Sequence, residues 1–288
     1  MKTVKMVKIE NLTNEFIFKN SHIFFPKIDS KFTGSRNKQM FGVAALLGSQ
    51  IIGFVAATRI SSGVGRIISL NVELKYRGRG IGTNLIRAID KMAKTIKLNT
   101  LNIYFQCHSG NKCQMDKILK SNNWSKPLQL AVLATSDLNH LRNCMWHEKY
   151  PLPNGFIIKN WDRSHDIINI FDEAPLGLVE TTNSNQIEAN ISKQLFFNSN
   201  MVGWVVADRV ANHTIRYSSL YVLPSCRKHG QGLHLLSSAL QSQVHSGIPY
   251  AKAAVNSNNH MVLKLINRKA QYLIRSTSTN NFSTNKGN

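Results

Sequence analysis

The chemistry-bearing residues of this 288-residue chain are few, and their spacing is unusual. The pattern Arg-x-x-Gly-x-Gly occurs twice, as Arg77-Gly78-Arg79-Gly80-Ile81-Gly82 and as Arg227-Lys228-His229-Gly230-Gln231-Gly232. Glycine without a Cβ lets backbone N–H groups turn inward and approach an anion closely. If a helix starts at the motif, its unpaired N–H donors and the positive end of its dipole add to the attraction. Together they suit a diphosphate. The motif lacks the Lys-Ser/Thr ending of a P-loop and the G-x-G-x-x-G spacing of a dinucleotide fold.

Carboxylates able to act as bases are scarce, at 15 Asp plus Glu in the whole chain. Glu180 and Glu188 precede the central apolar run of the second half, and Glu180 ranks first as a base. In the first half Glu73 stands close to the loop. Tyr217, Ser219 and Tyr221 alternate along one run, so a period of two places them on one face, and the two tyrosines become candidate proton donors. Cys107, His108 and Cys113 form a cluster without a second pair at ligand spacing, so no metal is expected. Cys107 as a nucleophile lacks a recognisable partner base.

These residues need elements to hold them, and the elements repeat. Ile51-Ile52-Gly53-Phe54-Val55-Ala56-Ala57 matches Met201-Val202-Gly203-Trp204-Val205-Val206-Ala207 at an offset of 150. The glycine motifs keep the same offset. Two tandem domains of like fold follow, with the joint near Trp146–Gly155, a stretch that carries two prolines and a glycine. Each half reads as strand, strand, Gly-loop, helix, strand, helix: a mixed α/β sheet with helices packed on it. The expected boundaries are 1–148, 149–276 and a frayed tail of Ser, Thr and Asn over 277–288.

The segment 70–86 resembles the acyl-CoA diphosphate motif of the GNAT superfamily of acyl-CoA N-acyltransferases, and 220–236 is a weaker match. The resemblance implies two tandem GNAT-fold domains and acetyl-CoA, or a longer acyl-CoA, as co-substrate. It implies that the amides of Arg77, Gly78, Arg79, Gly80, Ile81, Gly82 and Thr83 hold the CoA diphosphate. Those of Arg227, Lys228, His229, Gly230, Gln231, Gly232 and Leu233 would do the same in the second half. The backbone of Val72 and Val222 would pair with the pantetheine arm. Asn259 stands where the family's C-terminal helix often begins with Asn. Leu119 and Ile266 stand where many members carry a catalytic Tyr.

Thirty-six Lys plus Arg give a net charge of +21, distributed as +14 over 1–148 and +7 over the rest. Such a field draws acidic partners. Bilobal GNAT proteins include enzymes that acylate Lys or ornithine side chains of ribosomally made peptides, so an amine-bearing peptide with an acidic segment is the expected acceptor. A small-molecule amine is the alternative acceptor. A non-catalytic acyl-CoA sensor is the rival class, and nucleic acid stays open as a partner. No apolar run nears the ~18 residues of a membrane span, and four cysteines are too few for a disulfide framework. A cytoplasmic enzyme is expected; which half carries the chemistry stays open, with the second favoured. The oligomeric state stays open.

Overall fold

The structure is a computed structural model that describes residues 3–24, 39–108, 113–162, 186–227 and 229–286. The chain forms two units, one of residues 1–130 with 280–288, the other of residues 131–279.

In the first unit, β1 (Val4–Ile9), β2 (Met40–Leu47), β3 (Gln50–Ser61) and β4 (Val64–Val72) form an antiparallel run. The expected turn at Ser61-Ser62-Gly63 joins β3 to β4. After the glycine loop comes α2 (Ile81–Thr95), α1 being the short helix Asn14–Lys19. Ile81, Leu85, Ile86, Ile89 and Met92 all lie on its buried face. They pack against Phe41, Val43, Ile52 and Val55 of the sheet. Each such side chain stabilises by roughly 1.5–3 kcal/mol relative to exposure, as an upper bound. β5 (Thr100–His108) then pairs in parallel with β4, and α3 (Gln114–Lys120) follows.

The second unit begins earlier than the proline joint. β6 (Leu128–Asp137) pairs antiparallel with β11 (Tyr250–Asn256) over residues 131–137. The short helices α4 (Leu138–Leu141) and α5 (Trp146–Lys149) place Leu141 and Trp146 in a cluster with Leu240 and Leu273. These contacts move 131–148 out of the first unit, against the expected cut at 148. β7 (Phe156–Asn160), β8 (Lys193–Phe197), β9 (Asn200–Ala211) and β10 (Thr214–Val222) repeat the antiparallel run. α6 (Gln231–His245) follows the second loop, and α7 (His260–Lys269) follows β11. Asn259 caps α7, its side chain accepting from the Val262 N–H at 3.2 Å. Asn259→Ala should lower the second unit's stability by about 1 kcal/mol, read as a small fall in its unfolding midpoint.

The tail expected to fray is a strand, β12 (Ser276–Lys286). Three of its polar residues turn into the fold: Ser278, Asn281 and Ser283 are buried. In the first unit, the Ser283 hydroxyl donates to the Ser125 carbonyl at 2.8 Å, and Phe282 sits 5.0 Å from the Tyr104 ring. Ser, Thr and Asn look like loop residues by composition, but paired side chains satisfy them inside a sheet.

Candidate active site

Two faults in the first unit's sheet make its site. Ala56 pairs with Ser69 but Ala57 pairs with Ile67, so Ile68 is an extra residue, a β-bulge. On the other edge, β4 pairs with β5 only over Val64–Ile67, although both strands run further. Beyond Ile67 the edges diverge, and the edge of β4 from Ile68 to Val72 has no partner in β5. Such an edge accepts an extended guest as an added strand.

That edge leads into the loop. Gly78 and Gly80 have φ of +77° and +75°, a region that glycine enters without strain. A Cβ built on either would meet nothing within 4 Å, so the space in front of them is empty. Gly80 is the N-cap of α2 and offers no side chain to cap it. The first N–H donors of the helix are therefore left for an anion. The Arg77 guanidinium is engaged elsewhere: its Nε donates to the Val72 carbonyl at 2.8 Å, and its Nη2 donates to Asn71 at 3.2 Å. The Arg77 amide, expected to hold the diphosphate, donates to the Leu74 carbonyl at 3.2 Å, so Arg77 fixes the corner between strand and loop and leaves the cradle to the amides that follow it. Arg79, Lys75 and the Tyr76 ring crowd the outer side of the loop. Across the loop, Asn122 donates to the Thr83 carbonyl at 3.2 Å and ties the end of α3 to the first turn of α2.

The second unit repeats the faults. Tyr217 pairs with Ala207 but Ser219 with Val206, so Ser218 is bulged. β10 pairs with β11 only over Thr214–Tyr217. The edges again diverge, here around a cavity of about 350 Å3. Arg227 again holds the strand end, donating to the Val222 carbonyl at 2.6 Å. The loop itself differs. His229 takes φ of +65°, a strained value for a residue with a Cβ. Gly230 does not face empty space. A Cβ there would come within 2.8 Å of the Tyr150 side chain. Tyr150 is fastened by two contacts. Its hydroxyl accepts from the Lys269 ammonium at 2.9 Å, and its carbonyl lies 2.9 Å from His234 Nδ1. Lys269 accordingly holds the Tyr150 phenol below the usual tyrosine range. Residues Arg227 to Leu233 were expected to match the first cradle; at Gly230 the Tyr150 side chain stands where the first loop has open space.

The bulge also overturns the expected alignment of tyrosines. An extra residue shifts the alternation by one, so Tyr217 and Tyr221 leave the sheet on opposite faces. Tyr217 lies under α6, where its hydroxyl donates to Gln243 at 2.9 Å and burial pushes its phenol far up. Tyr221 stacks on Trp204 at 4.9 Å, with the Arg227 guanidinium over its ring. Glu73 sits at the rim, 3.6 Å from the Lys75 ammonium and 3.4 Å from the Gln50 amide. Leu119 and Ile266 are buried apolar side chains. Glu180 and Lys228 fall outside the described residues.

Two features escaped the reading of the sequence. Asp208 is fully buried and pairs with Arg216 at 2.8 Å, while its other oxygen has no partner. Its signal was present, since Asp208 ends an apolar run opposite a basic residue. Cys107 and Cys113 form a disulfide, with Cα atoms 5.5 Å apart, that joins the end of β5 to the cap of α3. Neither thiol is free to act as a nucleophile. Among the described residues, Asp116 is the further ligand-type side chain beside them.

A strand pair parted at a bulge, with an amide cradle on the helix that follows, is the arrangement of a protein that lays a nucleotide-headed thioester along its sheet. The chain belongs to the acetyltransferase (GNAT) family, whose model matches residues 7–112 and 136–270. It is an acyl-CoA-dependent N-acyltransferase with two GNAT domains. Among solved structures it is similar to a tandem GNAT protein from the clavulanic acid biosynthesis pathway. The two share 14% identity over 99% of this chain and 98% of the other, with a TM-score of 0.58. A GNAT-family acetyltransferase from Colwellia psychrerythraea gives 12% identity, 98% and 100% coverage and a TM-score of 0.55. A GCN5-related N-acetyltransferase from Sphaerobacter thermophilus gives 12%, 86% and 80%, and 0.55. No curated protein matches in sequence. Among the described residues no helix is long and apolar enough to cross a membrane.

Proposed function

We propose that acyl transfer occurs in the first unit and that its acceptor is a Lys- or ornithine-type amine of a peptide bearing an acidic segment. The uncovered cradle at Gly78 and Gly80 carries this reading, because the corresponding loop in the second unit lies under Tyr150. This reverses the preference given to the second half. The diphosphate rests on the amides of residues 78–83. The pantetheine arm pairs with the edge of β4 from Val72 back to Ile68. That direction brings the thioester to the point where β4 and β5 part. The bulged residue there has an N–H outside the regular ladder, placed to polarise the thioester carbonyl. A neutral amine attacks that carbon, the C–S bond breaks, and the thiolate leaves as the amide forms. The amine's proton passes to water.

Glu73 lies four residues from Ser69, about 13 Å along the strand at about 3.3 Å per residue. It stands at the phosphate end of the edge and is held by Lys75 and Gln50. Glu73→Gln should therefore leave kcat within about twofold of the parent, measured by thiol release. A fall of a hundredfold would make Glu73 the base.

The net charge of +21 supports an acidic acceptor segment, since opposite charge raises local concentration and on-rate. The test is thiol release from acetyl-, octanoyl- and palmitoyl-CoA, with Lys and ornithine peptides carrying or lacking an acidic segment, and with polyamines. The reading expects the acidic peptides to turn over fastest and to lose that advantage at high salt. Faster turnover of polyamines would overturn the peptide assignment. Tight CoA binding without turnover of any pair would make the protein a sensor.

A further inference from the structure

We propose that the Cys107–Cys113 pair is a redox switch that sets how tightly the first unit holds acyl-CoA. The closed disulfide gives tight binding, and a dithiol reductant that opens it gives weak binding. The proposal rests on the first unit as the donor site and adds the regulation of that site. Three observations support it.

The first is what the bond fastens. It joins the end of β5 to the residue just before α3. Cys113 is the N-cap of that helix, and its side chain accepts no hydrogen bond from the first turn. A helix of seven residues is too short to persist on its own hydrogen bonds. The disulfide therefore holds the start of α3 in place of a capping side chain.

The second is what α3 supports. A Cβ built on Gly82 would come within 3.2 Å of Ile118 Cδ1, so α3 packs directly on the last glycine of the loop. Asn122, just past the helix, donates to the Thr83 carbonyl at 3.2 Å and to the Ile118 carbonyl at 2.9 Å. Met115, Ile118 and Leu119 pack in the cluster that holds Ile81 and Leu85 of α2. With α3 loosened, Gly82 and Thr83 lose this backing. A bound diphosphate must then order them itself, and affinity falls.

The third is access. Cys107 and Cys113 are only half-buried, so an attacking thiolate can reach their sulfurs. In that exchange one thiolate of the dithiol attacks a sulfur of the pair. The Cys107–Cys113 bond breaks and a mixed disulfide forms. The dithiol's second thiol then attacks the mixed bond and the dithiol leaves as a disulfide. Two electrons and two protons pass from the dithiol to the protein, which ends with two thiols.

The experiment compares the full chain oxidised with the same chain after dithiothreitol treatment and removal of the reagent. EDTA is present, so that the opened thiols and the neighbouring Asp116 carboxylate take no metal. Acetyl-CoA, which has no free thiol, is the calorimetric probe. Reduction should weaken it at least fivefold, and reoxidation with oxidised glutathione should restore it. Reciprocally, saturating acetyl-CoA should shift the pair's equilibrium with a glutathione couple toward the disulfide by the same factor. Without ligand, reduction should speed amide hydrogen exchange over α3 and leave α6 unchanged. The double variant Cys107→Ser/Cys113→Ser should bind like the reduced parent and ignore reductant. Cys226→Ser, which removes the other half-buried thiol, should respond like the parent. Acetyl-CoA binding that survives Gly80→Glu would sink the first-unit assignment, whereas exchange over α3 reads the switch with no ligand present. The proposal is overturned if reduction weakens acetyl-CoA by less than fivefold or leaves α3 exchange unchanged. It is equally overturned if reoxidation does not restore binding, or if the double variant still responds to reductant.

Discussion

Gly80→Glu should weaken CoA binding at least a hundredfold and abolish turnover, while the chain stays folded. A hundredfold corresponds to about 2.7 kcal/mol. Three effects of the substitution act together. The new Cβ imposes strain on a residue whose φ is +75°, on the order of 1 kcal/mol. The side chain enters the empty space in front of the loop, where the diphosphate would rest. Its carboxylate brings negative charge to the helix start that would otherwise attract an anion. Because nothing packs within 4 Å of the site, the folded state loses little beyond the φ strain. Gly80→Ala separates these effects, keeping the strain without the charge, and should weaken binding much less.

The same substitution in the second unit should behave in the opposite way. Gly230 has φ of +86°, and its added Cβ meets Tyr150 at 2.8 Å. Gly230→Glu should destabilise the second unit by a few kcal/mol, through strain and displacement of the Tyr150 side chain. CoA affinity should stay unchanged. Binding titrations together with thermal unfolding of both variants check the pair. Loss of CoA binding in Gly230→Glu with its fold intact would restore the second cradle.

Removal of residues 280–288 should destabilise the first unit on the order of 5 kcal/mol, comparable to the whole stability of a small domain. A frayed tail would be removed without effect. Here the segment carries Asn281 and Ser283 buried, the second fully. Ser283 and Thr284 bond to Ser125, and Phe282 covers Tyr104. The Ser125 groups would be left without these partners, and the edge of β5 would be exposed. Denaturant unfolding of the truncated chain should show an early transition for the first unit. A superimposable curve would return the segment to the status of a tail.

The repeat carried most of the fold in the sequence. Gly53 with Phe54, and Gly203 with Trp204, mark the central strands at a fixed offset. The glycine motifs mark where strands turn into α2 and α6. Those signals are local: apolar periodicity and glycine at positions of left-handed φ. What was not legible depends on contacts distant in sequence. Alternation along β10 suggested one face for Tyr217 and Tyr221, but a bulge at Ser218 is set by pairing with β9 and inverts the alternation. Residues 276–286 bury Ser and Asn side chains where most strands bury apolar ones, so hydropathy could not reveal the strand. Tyr150 read as part of a joint between domains, because only the fold brings it over Gly230, 80 positions away. The glycine loop of the first unit was legible because it is local, whereas the bulge against β3, the parting from β5 and the Asn122 tie to Thr83 depend on distant pairing.

The most direct test is amide hydrogen exchange of the full chain with and without saturating CoA, paired with the binding stoichiometry. A single equivalent of CoA that protects residues 78–83 and leaves 229–233 unchanged is the expected outcome. Protection confined to the second loop, two equivalents bound, or no protection at the first loop would contradict the assignment of the donor to the first unit.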